Sequence, residues 1–199
     1  MAAVPRRRLY FLRHGETDWN VAGRLQGQRD VPLNGRGRDQ ASAAGRVLRG
    51  VLTPSELEGM HYVASPLWRA RETMQRAREA MGLSAQPFAT DDRLREISFG
   101  QWEGETWRGL RKQRPEAIAE RERQPWAFVP PGGESYAMLA ERLRPWAESL
   151  EDDTVAVSHG GVARALLALC AGMNRQEAVV APIVQGRVLL FEAGVARWL

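Results

Sequence analysis

The sequence is poor in several features that would point to a compartment or a partner. It contains one cysteine, Cys170, one lysine, Lys112, and three histidines among 199 residues. A single cysteine excludes an internal disulfide, which fits a reducing compartment, so we expect a cytoplasmic protein. No stretch reaches the roughly 18 consecutive apolar residues of a membrane-spanning helix, so we expect no membrane partner. The apolar run 9–12 is also shorter than the core of a secretory signal, and we interpret it as a strand.

The positive charge is carried almost entirely by arginine. The formal net charge is +4 at pH 7. Arginine favours planar, bidentate contacts with phosphate or carboxylate, although most such residues on a protein surface are simply solvated. A nucleic-acid-binding protein would show a basic stripe or a motif of aromatic and basic residues. Here arginines alternate with Glu and Asp, as in "AERERQ" at 119–124, so we expect no nucleic-acid partner.

The order of apolar and helical segments predicts an α/β fold. The chain is long enough for one domain with a substantial core. Short apolar runs alternate with helical stretches and no internal repeat divides them, which indicates a mostly parallel sheet covered by helices. Strands are predicted at 9–13, 61–66 and 154–158, helices at 34–52, 67–82, 105–123, 136–150 and 159–172, and loops at 92–104 and 125–135. The segments 187–194 and 195–199 either form a terminal hairpin or continue the sheet, and Ser135 with Glu134 is predicted to cap the helix through Leu150.

Two of the predicted strands end in the same way, with His-Gly. "LYFLRHG" places His14 after one strand, and "VAVSHGG" places His159 after another. Ligand sites of open α/β sheets lie at the carboxyl ends of the strands, and the helix that follows His159 offers free N–H groups to an anion. A lone histidine is more often structural, and His61, at a strand start, is interpreted so. Two histidines in one matched context favour function.

A phosphate site also needs fixed positive charge and a proton donor. Arg13 precedes His14, and Arg69 lies in the first turn of a helix that follows another strand. Hydrogen bonds to charged groups contribute roughly 1.5–3 kcal/mol each, so two arginines suffice to hold a phosphoryl group. Glu96 offers a carboxyl group in a loop. These residue types together predict phosphate chemistry.

Six blocks of the sequence resemble the histidine phosphatase superfamily, the phosphoglycerate-mutase-like proteins. They appear in the family's order and spacing between Leu9 and about Leu169. The resemblance implies a three-layer α/β/α sandwich as a single domain over 1–199, with a roof segment at about 97–135. The blocks are "RHGET" with Asn20, "RLQGQRDVPLNGRGRDQA" (24–41), "SPLWRARET" (65–73), "LREISFGQWEG" (94–104), "PPGGES" (130–135) and "VSHGGVARAL" (157–166).

The resemblance also implies a role for each site residue. His14 would be the nucleophile that forms a phosphohistidine, and the nearby arginines should disfavour its protonated form. Glu96 would protonate the leaving alcohol and then activate water. No metal and no cofactor are implied, since arginine and histidine supply the positive charge. The phosphoryl group or the rest of the substrate would be contacted by Arg13, Arg69, His159, Asn20, Gln26, Gly27 and Gly160.

The family contains phosphatases and mutases, and this chain resembles the phosphatases. Mutases usually carry Tyr and Lys at the positions of Phe99 and Trp107, and Gly-Asn where this chain has Gly160-Gly161. They also carry a longer insertion where about 25 residues here separate Gly104 from Pro130. We therefore expect a metal-independent phosphomonoester hydrolase, a histidine acid-type phosphatase, acting on a small phosphorylated metabolite. A cofactor-dependent phosphoglycerate mutase is the alternative.

The sequence also bears on two other protein classes, on the role of three tryptophans and on the oligomeric state. A cysteine phosphatase would need Cys-x5-Arg, whereas Cys170 and Arg175 are one residue too close and Cys170 lies in an apolar helix. A non-catalytic docking protein on this fold would be expected to lack a site residue, and all five are present. Three tryptophans of the roof segment either stack on substrate or pack a small core. The oligomeric state is open, a homodimer included. The three tryptophans are Trp102, Trp107 and Trp126.

Overall fold

A six-stranded sheet runs through the computed structural model, which describes residues 7–199. The order across the sheet is β3-β2-β4-β1-β5-β6; the first four strands are parallel, and β5 and β6 are antiparallel to their neighbours. The mostly parallel α/β sheet is therefore confirmed, and the two last segments both pair as a hairpin and extend the sheet. The strands are β1 Leu9–Arg13, β2 His61–Ala64, β3 Ala89–Thr90, β4 Thr154–Ser158, β5 Val188–Glu192 and β6 Val195–Trp198.

Nine α-helices connect and cover these strands within residues 7–199. None of them is both long enough and apolar enough to cross a membrane. The helix predicted at 105–123 is two helices, because Pro115 lacks an N–H and begins a new helix at its first turn. The helices are α1 Asp18–Val21, α2 Gly35–Val51, α3 Pro54–Gly59, α4 Trp68–Met81, α5 Trp107–Gln113, α6 Pro115–Arg123, α7 Tyr136–Glu148, α8 Gly160–Cys170 and α9 Arg175–Ala178, and short 3-10 helices occupy Asp92–Leu94 and Gly100–Trp102.

The ends of these helices follow the predicted capping residues closely. Ser135 caps α7 by accepting a hydrogen bond from the Met138 amide at 3.1 Å. Gly82 ends α4 in the left-handed conformation, with φ of 89°, where a side chain would be strained. Glu134 does not share in the cap, since its carboxylate pairs with Arg142 at 2.9 Å.

Alternate residues of each central strand enter opposite layers, which produces the three-layer sandwich. In β1, Leu9 and Phe11 face α7 and α8, whereas Tyr10 and Leu12 face α2 and α4. Burying each such side chain stabilises the fold by roughly 1.5–3 kcal/mol. Helices therefore fix both faces of β1, and its carboxyl end is held at a defined place.

The roof segment, residues 97–135, contributes a third and smaller core. Trp102 is fully buried there among Leu25, Leu110 and Ile118, and its ring stacks on Phe128 with centroids 5.3 Å apart. Trp126 is partly buried and stacks instead on Tyr136. Two of the three tryptophans that we considered for substrate stacking therefore pack against protein.

Candidate active site

The register of the sheet brings the two His-Gly strand ends side by side. β1 and β4 are parallel neighbours in which Arg13 lies opposite Ser158, so the next residues are His14 and His159. The His14 amide donates to the Ser158 carbonyl at 2.8 Å, and the two imidazole centroids are 5.1 Å apart. Both side chains are buried. The pairing of β1 with β4 thus places the two imidazoles next to each other at the same end of the sheet.

The surroundings of His14 leave one ring nitrogen available as a nucleophile. Its Nδ1 lies 2.7 Å from the Gly15 carbonyl, which can only accept, so Nδ1 carries the proton and Nε2 carries the lone pair. Burial, followed by the positive charges of Arg69 and Arg13, holds the His14 pKa well below its usual value. The imidazole is therefore neutral at physiological pH.

His159 is fixed by a residue to which the sequence interpretation gave no role. Its Nε2 lies 2.7 Å from the Ser65 hydroxyl, which comes from the end of β2. Burial and the nearby Arg69 charge keep the His159 pKa well below its usual value. The Ser65 oxygen already accepts from the Leu67 amide at 3.4 Å, so its hydroxyl proton is free to be donated to Nε2. In this tautomer Nδ1 carries the proton, and Nδ1 is buried with no partner among the described residues.

The two arginines of the site are anchored by backbone carbonyls. Arg13 Nη1 donates to the Ile183 carbonyl at 2.9 Å. Arg69 Nη1 donates to Arg29 at 2.6 Å and Nη2 donates to Gly27 at 2.8 Å. Burial lowers the pKa of Arg69 to about 10, so its guanidinium remains charged at neutral pH. Each arginine keeps its Nε buried and unpartnered within residues 7–199.

Buried polar atoms without a partner are concentrated at this site. In residues 7–199 they are Nε of Arg13, Nε of Arg69, Nδ1 of His159, Oε1 of Gln26 and Nε1 of Trp102. Buried donors in folded proteins are normally satisfied, so three N–H donors around His14 indicate room for a ligand rich in acceptor oxygens. A phosphoryl group is such a ligand.

Glu96 lies in a loop that forms one wall of the same site, and its carboxylate contacts the first turn of α8. Its Oε1 accepts from the Gly161 amide at 3.0 Å and from the Ile97 amide at 3.0 Å. The α8 amide that the sequence interpretation reserved for an external anion is thus engaged by Glu96. A Cβ on Gly161 would overlap the Glu96 carboxylate and Ile97, which explains the second glycine of "HGG".

A cavity of about 230 Å³ adjoins these groups through Arg13 and Glu96, whereas His14, Arg69 and His159 lie outside its lining. Its lining includes predicted contact residues from three parts of the chain, namely Arg13, Asn20, Gln26, Gly27, Glu96 and Gly160. A larger cavity of about 570 Å³ opens beside His61, at the opposite end of β2, but none of the buried unpartnered donors lines it. In residues 7–199 no three His, Cys, Asp or Glu side chains are grouped as metal ligands.

Two residues that carried no motif position the site from a distance. Arg142 donates to the carbonyls of Arg93 at 2.5 Å and Arg95 at 3.0 Å, and its guanidinium pairs with Glu134, so it fixes the loop that carries Glu96. Gln185 donates to the His14 carbonyl at 3.1 Å. Its Nε2 also lies 3.2 Å from Asn20 Oδ1. These contacts span up to 171 residues of sequence, and no local pattern signals them.

Comparison with known proteins finds one family and several relatives. The family described as "Histidine phosphatase superfamily (branch 1)" matches residues 9–197. Glucosyl-3-phosphoglycerate phosphatase of Mycobacterium tuberculosis is 40% identical over 176 residues, covering 81% of this chain and 74% of the relative. The solved mycobacterial glucosyl-3-phosphoglycerate phosphatase in complex with VO3 superposes with a TM-score of 0.78 at 32% identity, covering 97% and 96% of the two chains. A 2,3-bisphosphoglycerate-dependent phosphoglycerate mutase of Bartonella quintana is 29% identical over 192 residues, covering 93% and 91%.

Proposed function

The chain belongs to the histidine phosphatase superfamily (branch 1), and we propose that it hydrolyses small phosphomonoesters. The reaction needs no metal ion and passes through a phosphohistidine intermediate on His14. One observation carries the proposal. Three buried N–H donors without partners surround an imidazole whose free nitrogen has a lone pair. The phosphatase relatives at 40% identity support hydrolysis over mutase activity.

The donors define how a phosphoryl group would be held. Nε of Arg13, Nε of Arg69 and Nδ1 of His159 each donate to a phosphoryl oxygen, and Asn20 assists from the cavity wall. Phosphoryl transfer depends on positioning and on stabilising charge at the equatorial oxygens, and both come from these anchored side chains. Gln26, Gly27 and Gly160 contact the rest of the substrate.

In the first step His14 is phosphorylated. The Nε2 lone pair attacks phosphorus, the bond from phosphorus to the ester oxygen breaks, and Glu96 gives its proton to the leaving alkoxide. The neutral state of His14 supports this step, since a protonated imidazole has no lone pair to offer.

In the second step a water molecule displaces His14 from phosphorus. Glu96, now a carboxylate, takes a proton from a water molecule, whose oxygen attacks phosphorus as the N–P bond breaks. Phosphate leaves and the original protonation states return. The backbone contacts of Glu96 with Gly161 and Ile97 keep the carboxylate at one place for both proton transfers.

Covalent labelling tests the nucleophile directly. The enzyme is mixed with a ³²P-labelled phosphomonoester and quenched in alkali, where phosphohistidine survives, and the labelled peptide is sequenced. We expect label on His14 in the wild type and none in His14→Ala, with turnover lost. His61→Ala, an exposed histidine, is the control and should label normally. Label on another residue would refute the assignment.

A parallel assay separates phosphatase from mutase. Release of free phosphate from 3-phosphoglycerate is compared with its isomerisation. We expect hydrolysis to be faster, because Phe99 and Trp107 replace the polar residues that mutases use near Glu96. Faster isomerisation would establish the mutase alternative.

A further inference from the structure

Glu103, in the roof segment, is a carboxylate that has no role in the proposed reaction, although its side chain is only 9% exposed. Its ion pair with Arg29 is long, with Nε 3.6 Å from Oε2, and the arginine side chain is largely exposed. Such a pair contributes little to stability. A carboxylate that is taken out of water must be compensated by hydrogen bonds, so the groups that donate to Glu103 indicate what it does.

Oε1 of Glu103 accepts hydrogen bonds from two separate parts of the chain. The Phe99 amide, at 3.3 Å, belongs to the roof segment itself. The Gln28 amide, at 3.0 Å, belongs to the turn at 26–29, which lies 75 residues away in the sequence. A Cβ on Gly27 would overlap the Glu103 carboxylate, so the carboxylate and the turn are in direct contact. Glu103 therefore attaches this turn to the roof segment.

The turn at 26–29 in its turn holds two groups of the candidate active site. Its carbonyls at Gly27 and Arg29 accept from the Arg69 guanidinium, at 2.8 and 2.6 Å. The side-chain amide of Gln28 donates to the Glu96 carbonyl at 3.1 Å. One turn thus fixes the direction of the Arg69 guanidinium, with its Nε donor, and the place of the loop that carries Glu96.

The charge of Glu103 also acts on Arg69. Burial lowers the pKa of Arg69, and nearby carboxylates, Glu103 among them, partly offset this lowering. The other end of the turn is fixed independently, because Asp30 accepts from the Trp68 amide, at the start of α4, at 2.8 Å. The turn is therefore attached to the helix of Arg69 on one side and to Glu103 on the other.

We propose that Glu103 is a positioning residue, which holds the turn at 26–29 so that Arg69 and Glu96 keep the relative places that phosphoryl transfer requires. The inference rests on the proposed phosphatase function and adds to it a residue that touches neither the substrate nor the reacting atoms. A misplacement of about 1 Å at reacting groups can lower a rate by about 100-fold, so a displaced turn should change the kinetics.

Kinetics with two esters test the variant Glu103→Ala. Hydrolysis of p-nitrophenyl phosphate depends on Arg69, whereas glycerol 3-phosphate also needs the proton from Glu96. We expect kcat/KM to fall roughly ten-fold for the first ester and further for the second. Glu103→Gln keeps an acceptor oxygen for Gln28 and should stay within about three-fold of the wild type. The control is Glu105→Ala, which removes the same charge from a partly exposed side chain two residues along the chain and should leave both values unchanged.

The variant Gln28→Ala separates the two branches of this network. It removes the donor to the Glu96 carbonyl but keeps the backbone amide that donates to Glu103. Because only Glu96 loses a support, we expect a loss of roughly five-fold for glycerol 3-phosphate and none for p-nitrophenyl phosphate. Equal losses with both esters would overturn the link between Gln28 and Glu96.

A double-mutant cycle tests whether Glu103 acts through Arg69. In Arg69→Lys the Nε donor that the turn directs is absent, so adding Glu103→Ala should lower kcat/KM for p-nitrophenyl phosphate by about two-fold or less. A merely structural residue would lower the midpoint of thermal unfolding and give losses that add fully, and this result would overturn the proposal. If Glu103→Ala does not fold, Glu103→Asp replaces it in the cycle, since it keeps the charge but withdraws Oε1 from the Gln28 amide.

The outcomes separate the two proposals. Failure of the wild type to hydrolyse p-nitrophenyl phosphate, or full turnover in His14→Ala, overturns the proposed function itself. Hydrolysis by the wild type with Glu103→Ala as active as Glu105→Ala overturns the positioning role alone.

Discussion

The floor and the roof of the candidate active site are built by different means. The floor, defined as Arg13, His14, Arg69 and His159, projects from the carboxyl end of the sheet and the helix that follows β2. The roof segment, 97–135, is a set of short helices and turns with its own small core around Trp102. Both supply arginine, but the floor fixes its guanidiniums with carbonyl bonds, whereas Arg121 of the roof rests only on an aromatic ring.

This difference assigns chemistry to the floor and substrate choice to the roof. Two large cores pack both faces of β1 and β4, so the floor cannot move without breaking the sheet. The roof core contains four buried side chains, one of which is Leu25 from outside the roof segment, and α5 and α6 pack chiefly against each other. Changes in the floor should therefore abolish turnover, and changes in the roof other than at Glu103 should alter which substrates are accepted.

After the loss of turnover in His14→Ala, Arg69→Lys should give the largest effect on activity, because it removes contacts within the floor. Lysine keeps the charge but loses the Nε donor and at least one of the bonds to Gly27 and Arg29. Removing one preorganised donor to a transition-state anion lowers kcat by roughly 10²–10³-fold. Steady-state kinetics with p-nitrophenyl phosphate measures it. Arg71→Lys, on the same helix beside Trp68, is the control, and an equal loss there would contradict the assignment.

Trp102→Leu should destabilise the roof core while leaving the structure of the floor unchanged. The lost volume in a fully buried site should destabilise the roof core by about 2–4 kcal/mol. Hydrogen exchange should then accelerate in α5 and α6 but not in β1 and β4. Trp68→Leu, at a half-exposed residue of α4, is the matched control. Equal acceleration in the strands would mean that roof and floor unfold together.

Gly161→Ala tests the junction, where Glu96 of the wall meets α8. The added methyl would overlap the Glu96 carboxylate and displace it. We expect a loss of about 100-fold for an alkyl phosphate, which needs a proton donor, and a much smaller loss for p-nitrophenyl phosphate, which does not. A Cβ on Gly160 would lie 3.5 Å from Arg13 Nε, an ordinary contact, so Gly160→Ala should be milder. Equal losses for both esters would show that Glu96 is not the displaced group.

The sequence predicted the floor better than the roof, for a physical reason. His14 and His159 follow strands with clear apolar runs, and neighbouring parallel strands bring their ends together whatever the loops do. Arg121 had no such signal, since its place depends on the packing of Trp107 against Trp102. Pro115 marks the break between α5 and α6, whereas the very polar segment 105–123 is predicted as one helix.

The residues that support the floor and the Glu96 loop had no local signal in the sequence. Ser65 lies within a family block, yet its bond to His159 joins residues 94 apart. In the sequence Arg142 is an ordinary charged residue of α7. Its carbonyl partners lie 47 and 49 residues away, and only the structure shows them. Such contacts follow from the tertiary arrangement and not from local periodicity.

The smallest expected effect is a dependence of stability on pH that originates in the floor alone. His14 and His159 are buried with pKa values well below the usual value near 6.5, so the unfolded chain binds protons that the folded chain refuses. The free energy of unfolding should therefore fall as the pH drops below about 6.5, by up to roughly 1.4 kcal/mol per pH unit for each histidine. Denaturant unfolding between pH 7.5 and 5.5, in a buffer without phosphate, measures the slope.

The variant His14→Asn should remove about half of that slope, because the floor then holds one buried imidazole in place of two. His61→Asn, which changes an exposed histidine at the other end of β2, should leave the slope unchanged. Roof variants such as Trp102→Leu should lower stability at every pH without altering the slope, since no histidine lies in that segment. A slope that changes with Trp102 and not with His14 would place the acid sensitivity in the roof and reverse the division between the two regions.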